Sequence, residues 1–261
     1  LLVLVPFVSC LIGSALMSLI YCFLTVSLKA NQNVTGLALT TFGVGFGNFF
    51  GGSLIKIIGS DVPYASLVKI AKHFKTPVFG FYKSLGTIGE TFFSHGFLVY
   101  LAVIIALLVS FFLTKTKTGL KLRAVGESPA TADAAGINVA KYKYLATCCG
   151  GMIAGLGGLY YVLDYTNGIW SNDAFGDRGW LAIALVIFAI WNPNISIIGS
   201  YLFGALLILY NRLPISMKLI PIIQMLPYVV TIIVLILVSV RKKRETQPPA
   251  SLGLSYFRED R

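Results

Sequence analysis

The chain has 261 residues, 56% of them hydrophobic and only 12% charged, with a mean hydropathy of +0.81. A soluble domain carries roughly a quarter of its residues as charge, so this deficit excludes that class and predicts a polytopic membrane protein. The net charge of +11 sits in the turns between apolar runs rather than on one exposed face. It reads as positive-inside bias with a basic tail and argues against nucleic acid as a partner.

The predicted architecture is an all-α, polytopic helix bundle of about seven spans in contact with membrane lipid, a single domain over residues 1–261. Leu1–Val26 is an uncharged apolar run without a basic n-region or a small-residue cleavage site, so it reads as a first span and not as a signal peptide. The absence of an initiator Met leads us to expect an N-terminal truncation with earlier spans missing. The polar turn Lys29-Ala30-Asn31-Gln32-Asn33 follows, and Val34 to about Gly52 is the second span. Its Gly43, Gly47 and Gly51 recur every fourth residue, a spacing that predicts close helix packing. Asn48 is a polar amide at membrane depth, which points toward the bundle interior or a water-filled path. Together with Thr40 and Thr41 it makes the candidate substrate pathway.

Ser53–Glu90 is a long outward loop with Lys56, Lys69, Lys72, Lys75, Lys83 and His73. Turns are predicted at Val62-Pro63 and Thr76-Pro77, with a short interfacial helix in Tyr64–Phe74. His95 reads as an interface residue, since nothing accompanies it at metal-ligand spacing. Phe92–Leu113 is the third span.

Lys115–Lys143 is the long polar stretch set directly between apolar spans. It carries six Lys/Arg against Glu127 and Asp133, which places it in the cytoplasm. Ser128 is a natural N-cap, Pro129 suits the first helical position, the alanines favour helix, and Gly136 supplies a left-handed stop. The spacing predicts a helix of about two turns, with Asn138 capping the helix after it. Ala130 and Ala134, one turn apart, give it a smooth face that a partner can grip. Such a helix also serves in many membrane proteins simply to turn the chain around.

Tyr144–Leu163 is the fourth span, with Gly150, Gly151, Gly155, Gly157 and Gly158. Close packing is the expected use of these glycines, and bending or sliding is the alternative. Asp164–Arg178 is a second outward loop holding Asp164, Asp173 and Asp177, with Trp170 and Trp180 suited to the headgroup level. Without a nucleophile or oxyanion donor it reads as a docking loop rather than a catalytic one. Leu181–Trp191 and Ile195–Tyr210 form a hairpin of spans around Asn192-Pro193-Asn194, and Asn211–Pro221 turns outside. Pro227-Tyr228 opens or kinks the last span, which ends near Val240. Arg241-Lys242-Lys243-Arg244 fixes that end in the cytoplasm, so residues 241–261 form a cytoplasmic tail. Counting spans back from it puts residues 115–143 in the cytoplasm as well. Cys10, Cys22, Cys148 and Cys149 all lie in apolar segments and read as packing residues. The chain lacks a GxxxxGK[ST] motif and so does not bind ATP by that route.

Thr118-Gly119-Leu120-Lys121-Leu122-Arg123-Ala124-Val125-Gly126-Glu127-Ser128-Pro129, followed by Ala134-Ala135-Gly136-Ile137-Asn138-Val139, resembles the cytoplasmic loop of ABC-transporter permeases. More narrowly it is similar to the branched-chain amino acid/simple-sugar superfamily. Asn31-Gln32-Asn33-Val34-Thr35-Gly36-Leu37-Ala38-Leu39, Trp191-Asn192-Pro193 and Leu226-Pro227-Tyr228 are similar to its nucleoside (simple sugar) permeases. So is the tail, Pro248–Gly253 with Tyr256 and Arg258–Arg261. Two departures are Ser128, where the family commonly has Asn, and a start inside the family's usual length.

The resemblance implies a membrane subunit of an importer in a bacterial plasma membrane, not itself an enzyme. Its partners would be a separate ABC ATPase subunit, a second permease subunit and an extracytoplasmic solute-binding protein. ATP would be bound by the ATPase, and this chain would hold no cofactor or metal. The capped helix would be the coupling helix, with Gly119, Arg123, Gly126, Glu127, Ser128, Ala130, Ala134 and Gly136 as the ATPase-coupling residues. The implied solute is a nucleoside or related simple sugar. Riboflavin and other small solutes remain alternatives, as does an ion-gradient-driven secondary transporter. That last class usually places charge at the bilayer midplane, and the spans carry none there. A purely structural membrane protein is excluded only by a transport test.

Overall fold

The computed structural model describes residues 2–58, 65–80, 86–173, 175–176, 178–212, 220–241 and 248–257. The expected turn at Val62-Pro63, Lys83, Asp177, most of the Asn211–Pro221 turn, Lys242–Arg244 and Arg258–Arg261 lie outside them.

Helices occupy all seven stretches expected as spans: α1 (Leu4–Cys22), α2 (Gln32–Ile58), α5 (Phe97–Lys115), α8 (Val139–Tyr160), α9 (Arg178–Phe188), α10 (Pro193–Arg212) and α12 (Leu226–Arg241). Shorter helices are α3 (Val68–Lys75), α4 (Gly86–Phe93), α6 (Lys117–Glu127), α7 (Pro129–Ala134) and α11 (Ile220–Gln224). Wider π-helical turns continue α1 over Phe23–Ser27 and α8 over Tyr161–Tyr165. Among the described residues, Leu4–Ser27, Phe97–Lys115 and Val139–Tyr165 are long and apolar enough to cross a bilayer, while α9, α10 and α12 are shorter apolar helices. Leu108 and Phe111 on α5 are 60% and 61% exposed, and Leu16 on α1 is 58% exposed. Side chains of this kind, exposed along a helix whose backbone bonds are all internal, suit a hydrocarbon surround.

The chain divides into two compact units. The first comprises Leu1–Ala102, Ser128–Phe175 and Gly253–Arg261. Its centre is α1 packed along α8. Gly155 of α8 faces Ser14 and Cys10 of α1, and Gly151 faces Ser18. The Cys10 thiol donates to the Gly155 carbonyl at 3.0 Å. Ser14 and Ser18 donate to carbonyls one turn back, at Cys10 and Ser14, so their polarity is satisfied within α1. This is the close packing expected of the fourth span. Phe74 of α3, Leu98 of α5 and Leu163 form a buried cluster in the same unit. A short antiparallel ladder pairs β1 (Ala65–Ser66) with β2 (Ile169–Trp170). Gly168 beside it has φ of +77° with the Leu67 backbone against it, a position that only glycine fills without strain.

The second unit comprises Val103–Glu127 and Gly176–Leu252. In it α9 packs on α12 and α10, with Phe188 and Phe203 edge to face at 5.3 Å. The α9–α10 turn carries Ile190 and Trp191 at positive φ. Asn192 then accepts from the Asn194 N–H at 3.0 Å, with Pro193 opening α10. Pro227 lies buried in the first turn of α12, as its place in the sequence predicts, and its carbonyl accepts from Thr231 at 2.9 Å.

Outside the spans the chain is more helical than the sequence suggested. The stretch expected as loop after Gly52 contains the end of α2, α3 and α4, and the interfacial helix expected in Tyr64–Phe74 is α3.

Candidate functional site

The residues singled out between Lys115 and Lys143 fall on both compact units, and the local geometry of each group is distinct. In the second unit, α5 turns directly into α6 at Thr116. The Thr116 hydroxyl donates to the Phe112 carbonyl at 2.7 Å and accepts from the Gly119 N–H at 3.0 Å, so it both closes one helix and caps the next. Gly119 is buried at this corner, and a Cβ there would meet the Phe112 carbonyl and come within 2.8 Å of Leu113 Cα. Arg123 and Glu127 are exposed on α6 while Val125 is buried. The last carbonyls of α6 are met by the tail. Ser251 donates its N–H to Gly126 at 3.1 Å and its hydroxyl to Glu127 at 3.2 Å. Helix α6 itself was missed in the sequence, although Thr116, a residue type that caps helix N-termini, stood at its start.

In the first unit, α7 matches the expected signals closely. The Ser128 hydroxyl accepts from the Thr131 N–H at 3.4 Å, and Pro129 stands at the first helical position. At the other end Gly136 has φ of +79°. The Ile137 N–H reaches the Ala132 carbonyl at 3.0 Å and the Gly136 N–H reaches Asp133 at 2.9 Å, a Schellman closure. Asn138 Oδ1 then accepts from the Lys141 N–H at 3.0 Å and starts α8. Pro129 and Ala132 are buried, whereas Ala130, Thr131, Ala134 and Ala135 are exposed. The short helix thus presents a nearly uncharged, small-residue face. Its one charged side chain, Asp133, accepts from the Tyr256 hydroxyl at 2.9 Å.

The candidate pathway residues are placed differently. Thr40 and Thr41 are exposed on α2 and donate to carbonyls one turn back, at Gly36 and Leu37. Asn48 is half-buried and uses both ends of its amide on one partner. Its Nδ2 donates to Asp173 Oδ1 at 3.0 Å and its Oδ1 accepts from the Asp173 N–H at 3.2 Å. The Trp170 ring lies against Gly47, the residue before Asn48, and against Gly51, about one turn after it, where a Cβ at Gly51 would approach Trp170 Cε2 to 2.6 Å. The glycine stripe of the second span, expected to pack helix on helix, is therefore a seat for a loop tryptophan at these two positions. Gly43 and Gly45 meet nothing within 4 Å among the described residues. Asp164 is half-buried with its Oδ2 enclosed and unpartnered among the described residues, close to where a Cβ on Gly96 would sit. His95 is exposed and contacts the Thr91 carbonyl at 3.0 Å. Among the described residues there is no group of three or more His, Cys, Asp or Glu that could hold a metal ion. The four cysteines are free thiols.

A family model described as "Branched-chain amino acid transport system / permease component" matches residues 1–239. TsgC13 of Haloferax volcanii, named provisionally as a glucose ABC transporter permease, is 34% identical across 92% of this chain and 77% of its own. The nucleoside ABC transporter permease NupC of Lactococcus lactis subsp. cremoris is 33% identical across 89% of this chain and 73% of its own. The guanosine ABC transporter permease NupQ of Bacillus subtilis is 34% identical across 85% of this chain and 69% of its own. No solved structure matches the chain.

Proposed function

Because the chain belongs to the branched-chain amino acid transport system permease family, we propose that it is the membrane subunit of an ATP-binding-cassette importer for nucleosides or related simple sugars, seated in a bacterial plasma membrane. As a permease component it is a multi-pass membrane transport protein. ATP is bound and hydrolysed on a separate ATPase chain, a second permease subunit completes the pathway, and an extracytoplasmic binding protein delivers the solute. Similarity to NupC and NupQ over most of the chain carries the nucleoside reading. Similarity to TsgC13 favours a simple sugar as the second reading. The two share chemistry, since a nucleoside is itself a sugar bearing a base.

The coupling reading of α7 rests on its form. A rod capped at both ends, with a small-residue face exposed at Ala130 and Ala134, can be gripped closely and pushed without bending. Arg123 and Glu127 on α6 supply charge for the same partner, with Gly119 and Gly126 shaping the backbone. Asn48, with Thr40 and Thr41, stays the proposed lining of the substrate pathway.

The test is co-purification of the protein with its candidate ATPase, then ATP hydrolysis in liposomes with binding protein loaded with nucleoside or glucose. A stable complex stimulated by one loaded form supports the importer and identifies the solute. Absence of an associated ATPase, with solute moving down an ion gradient, overturns it in favour of a secondary transporter.

A further inference from the structure

The C-terminal segment returns to the first unit as an extended strap, and its bonds converge on α7 and its neighbours. The Leu254 carbonyl accepts from Gln32 Nε2 at 3.2 Å and from Lys143 Nζ at 3.4 Å. Ser255 donates to the Lys29 carbonyl at 3.3 Å. The Phe257 ring lies under Lys29 Nζ, 4.3 Å from its centroid. Tyr256, half-buried between these anchors, donates to Asp133 Oδ2. Four consecutive residues therefore tie the turn between α1 and α2, the start of α8, and α7 to one another.

Helix α7 needs such a tie. It has six residues, far below the roughly 12–15 at which an isolated helix begins to hold in water. Its caps fix its two ends along the chain but not its rotation about its own axis. Asp133 stands three residues after Ala130, at the edge of the face that carries Ala130 and Ala134, so a bond there sets which way that face is turned. A hydrogen bond to an ionised acceptor is about twice as strong as a neutral one.

We propose that Tyr256 is a positioning residue for energy coupling: its hydroxyl, held by the strap at Leu254–Phe257, fixes the rotation of α7 through Asp133 so that movement of the partner ATPase is passed into α8. The proposal rests on the reading of α7 as the coupling helix. The tail is thereby part of the coupling machinery rather than a solvated end.

The experiment uses the full importer complex in liposomes and reads solute taken up per ATP hydrolysed, alongside complex yield. Tyr256→Phe keeps the ring and removes the donor. It is expected to lower the uptake-to-hydrolysis ratio about tenfold, the size of a lost bond to a charged group. Asp133→Asn keeps an acceptor and is expected to lose less. The double variant should lose clearly less than the sum of the two single losses, because both changes share one bond. A normal ratio in Tyr256→Phe overturns the proposal, as does a parallel fall in uptake, hydrolysis and yield, which marks a merely structural residue. Additive losses in the double variant overturn it too. The underlying reading has its own control: in otherwise wild-type protein, Ala130→Cys should cross-link to the ATPase. Absence of that cross-link sinks the coupling-helix assignment itself, whatever Tyr256 does.

Discussion

Gly155→Ala should destabilise the first unit by about 2 kcal/mol, and the structure says which second change repairs it. A Cβ at Gly155 would stand 2.5 Å from Ser14 Oγ, 2.6 Å from Ser14 Cβ and 3.4 Å from Cys10 Sγ. The Ser14 hydroxyl could rotate, but its Cβ cannot leave without moving α1. Forcing a methyl into a filled seam costs typically 1–3 kcal/mol, and the Cys10 bond to the Gly155 carbonyl, 3.0 Å long, stretches as the helices part. At about 2 kcal/mol the folded population falls roughly 30-fold relative to the unfolded. For a chain of this size that corresponds to a thermal midpoint lower by about 4–8 °C. The assay is the loss of monodisperse protein in detergent with temperature. Ser14→Ala should not rescue Gly155→Ala, because the offending Cβ stays in place, whereas Ser14→Gly should restore most of the loss. A midpoint unchanged by Gly155→Ala, or rescue by Ser14→Ala as complete as by Ser14→Gly, refutes the seam. If α8 slides on α1 during transport, Gly155→Ala at permissive temperature will also slow uptake while leaving the amount of inserted protein intact. Uptake that merely tracks protein abundance assigns the glycine to packing alone.

Gly136→Pro removes an N–H of the Schellman closure and forbids the φ of +79° found there. Uptake should be lost while the protein still inserts in the membrane, as it should in Glu127→Lys, which reverses a charge exposed on α6. Normal uptake in both variants would refute the docking assignment. Asn48→Asp sets a second carboxylate against Asp173, so the loop around Trp170 should detach from α2 at neutral pH and become open to protease. The change costs about 1–3 kcal/mol through the lost Nδ2 bond and the repulsion that replaces it. A protease pattern that ignores the substitution counts against the clamp. Gly119→Ala should unseat the α5–α6 corner by about 1–3 kcal/mol, read as reduced ATPase retention at unchanged membrane insertion. Undiminished retention would refute that role.

What the sequence disclosed divides by the range of the interaction concerned. The caps of α7 and α8 were legible because Ser128-Pro129, Gly136 and Asn138 act within three or four residues of themselves. The spans over Leu4–Ser27, Phe97–Lys115 and Val139–Tyr165 were legible because lipid demands about 20 apolar residues in a row. The seam between α1 and α8 was half legible: GxxxG announces a close approach at Gly151 and Gly155 but not its partner, and Ser14 and Ser18 only become its mates in three dimensions. The same pattern at Gly47 and Gly51 misled, since a flat indole from a loop satisfies the bare backbone as well as a second helix does. Asn48 was legible as a polar amide in a span, but its bonding partner was not, since nothing local points to an aspartate 125 positions away. Tyr256 was legible only as part of a family-like tail, because its one decisive bond, to Asp133, spans 123 positions.

Joined together, the local elements of the first unit make a continuous mechanical path. α7 ends at Ala134 and α8 begins at Val139, and the intervening residues are locked by the Schellman bonds at one end and the Asn138 cap at the other. The joint therefore has little slack. α8 is then held to α1 by contacts at Gly151 and Gly155 that are too close to admit a methyl. Close-packed interiors transmit displacement rather than absorb it. A push on α7 consequently moves α8 and α1 as one body instead of bending either. Strain is left for the softer points of the unit, the π-helical turns at Phe23–Ser27 and Tyr161–Tyr165, where the regular hydrogen-bond ladder is already broken. Phe23–Ser27 lies next to the strap's anchors at Lys29 and Gln32, and Tyr161–Tyr165 leads into the loop seated on α2 by Trp170 and Asp173. α1 and α8 are thus stiff rods, each continued at its C-terminal end by one compliant turn, Phe23–Ser27 and Tyr161–Tyr165.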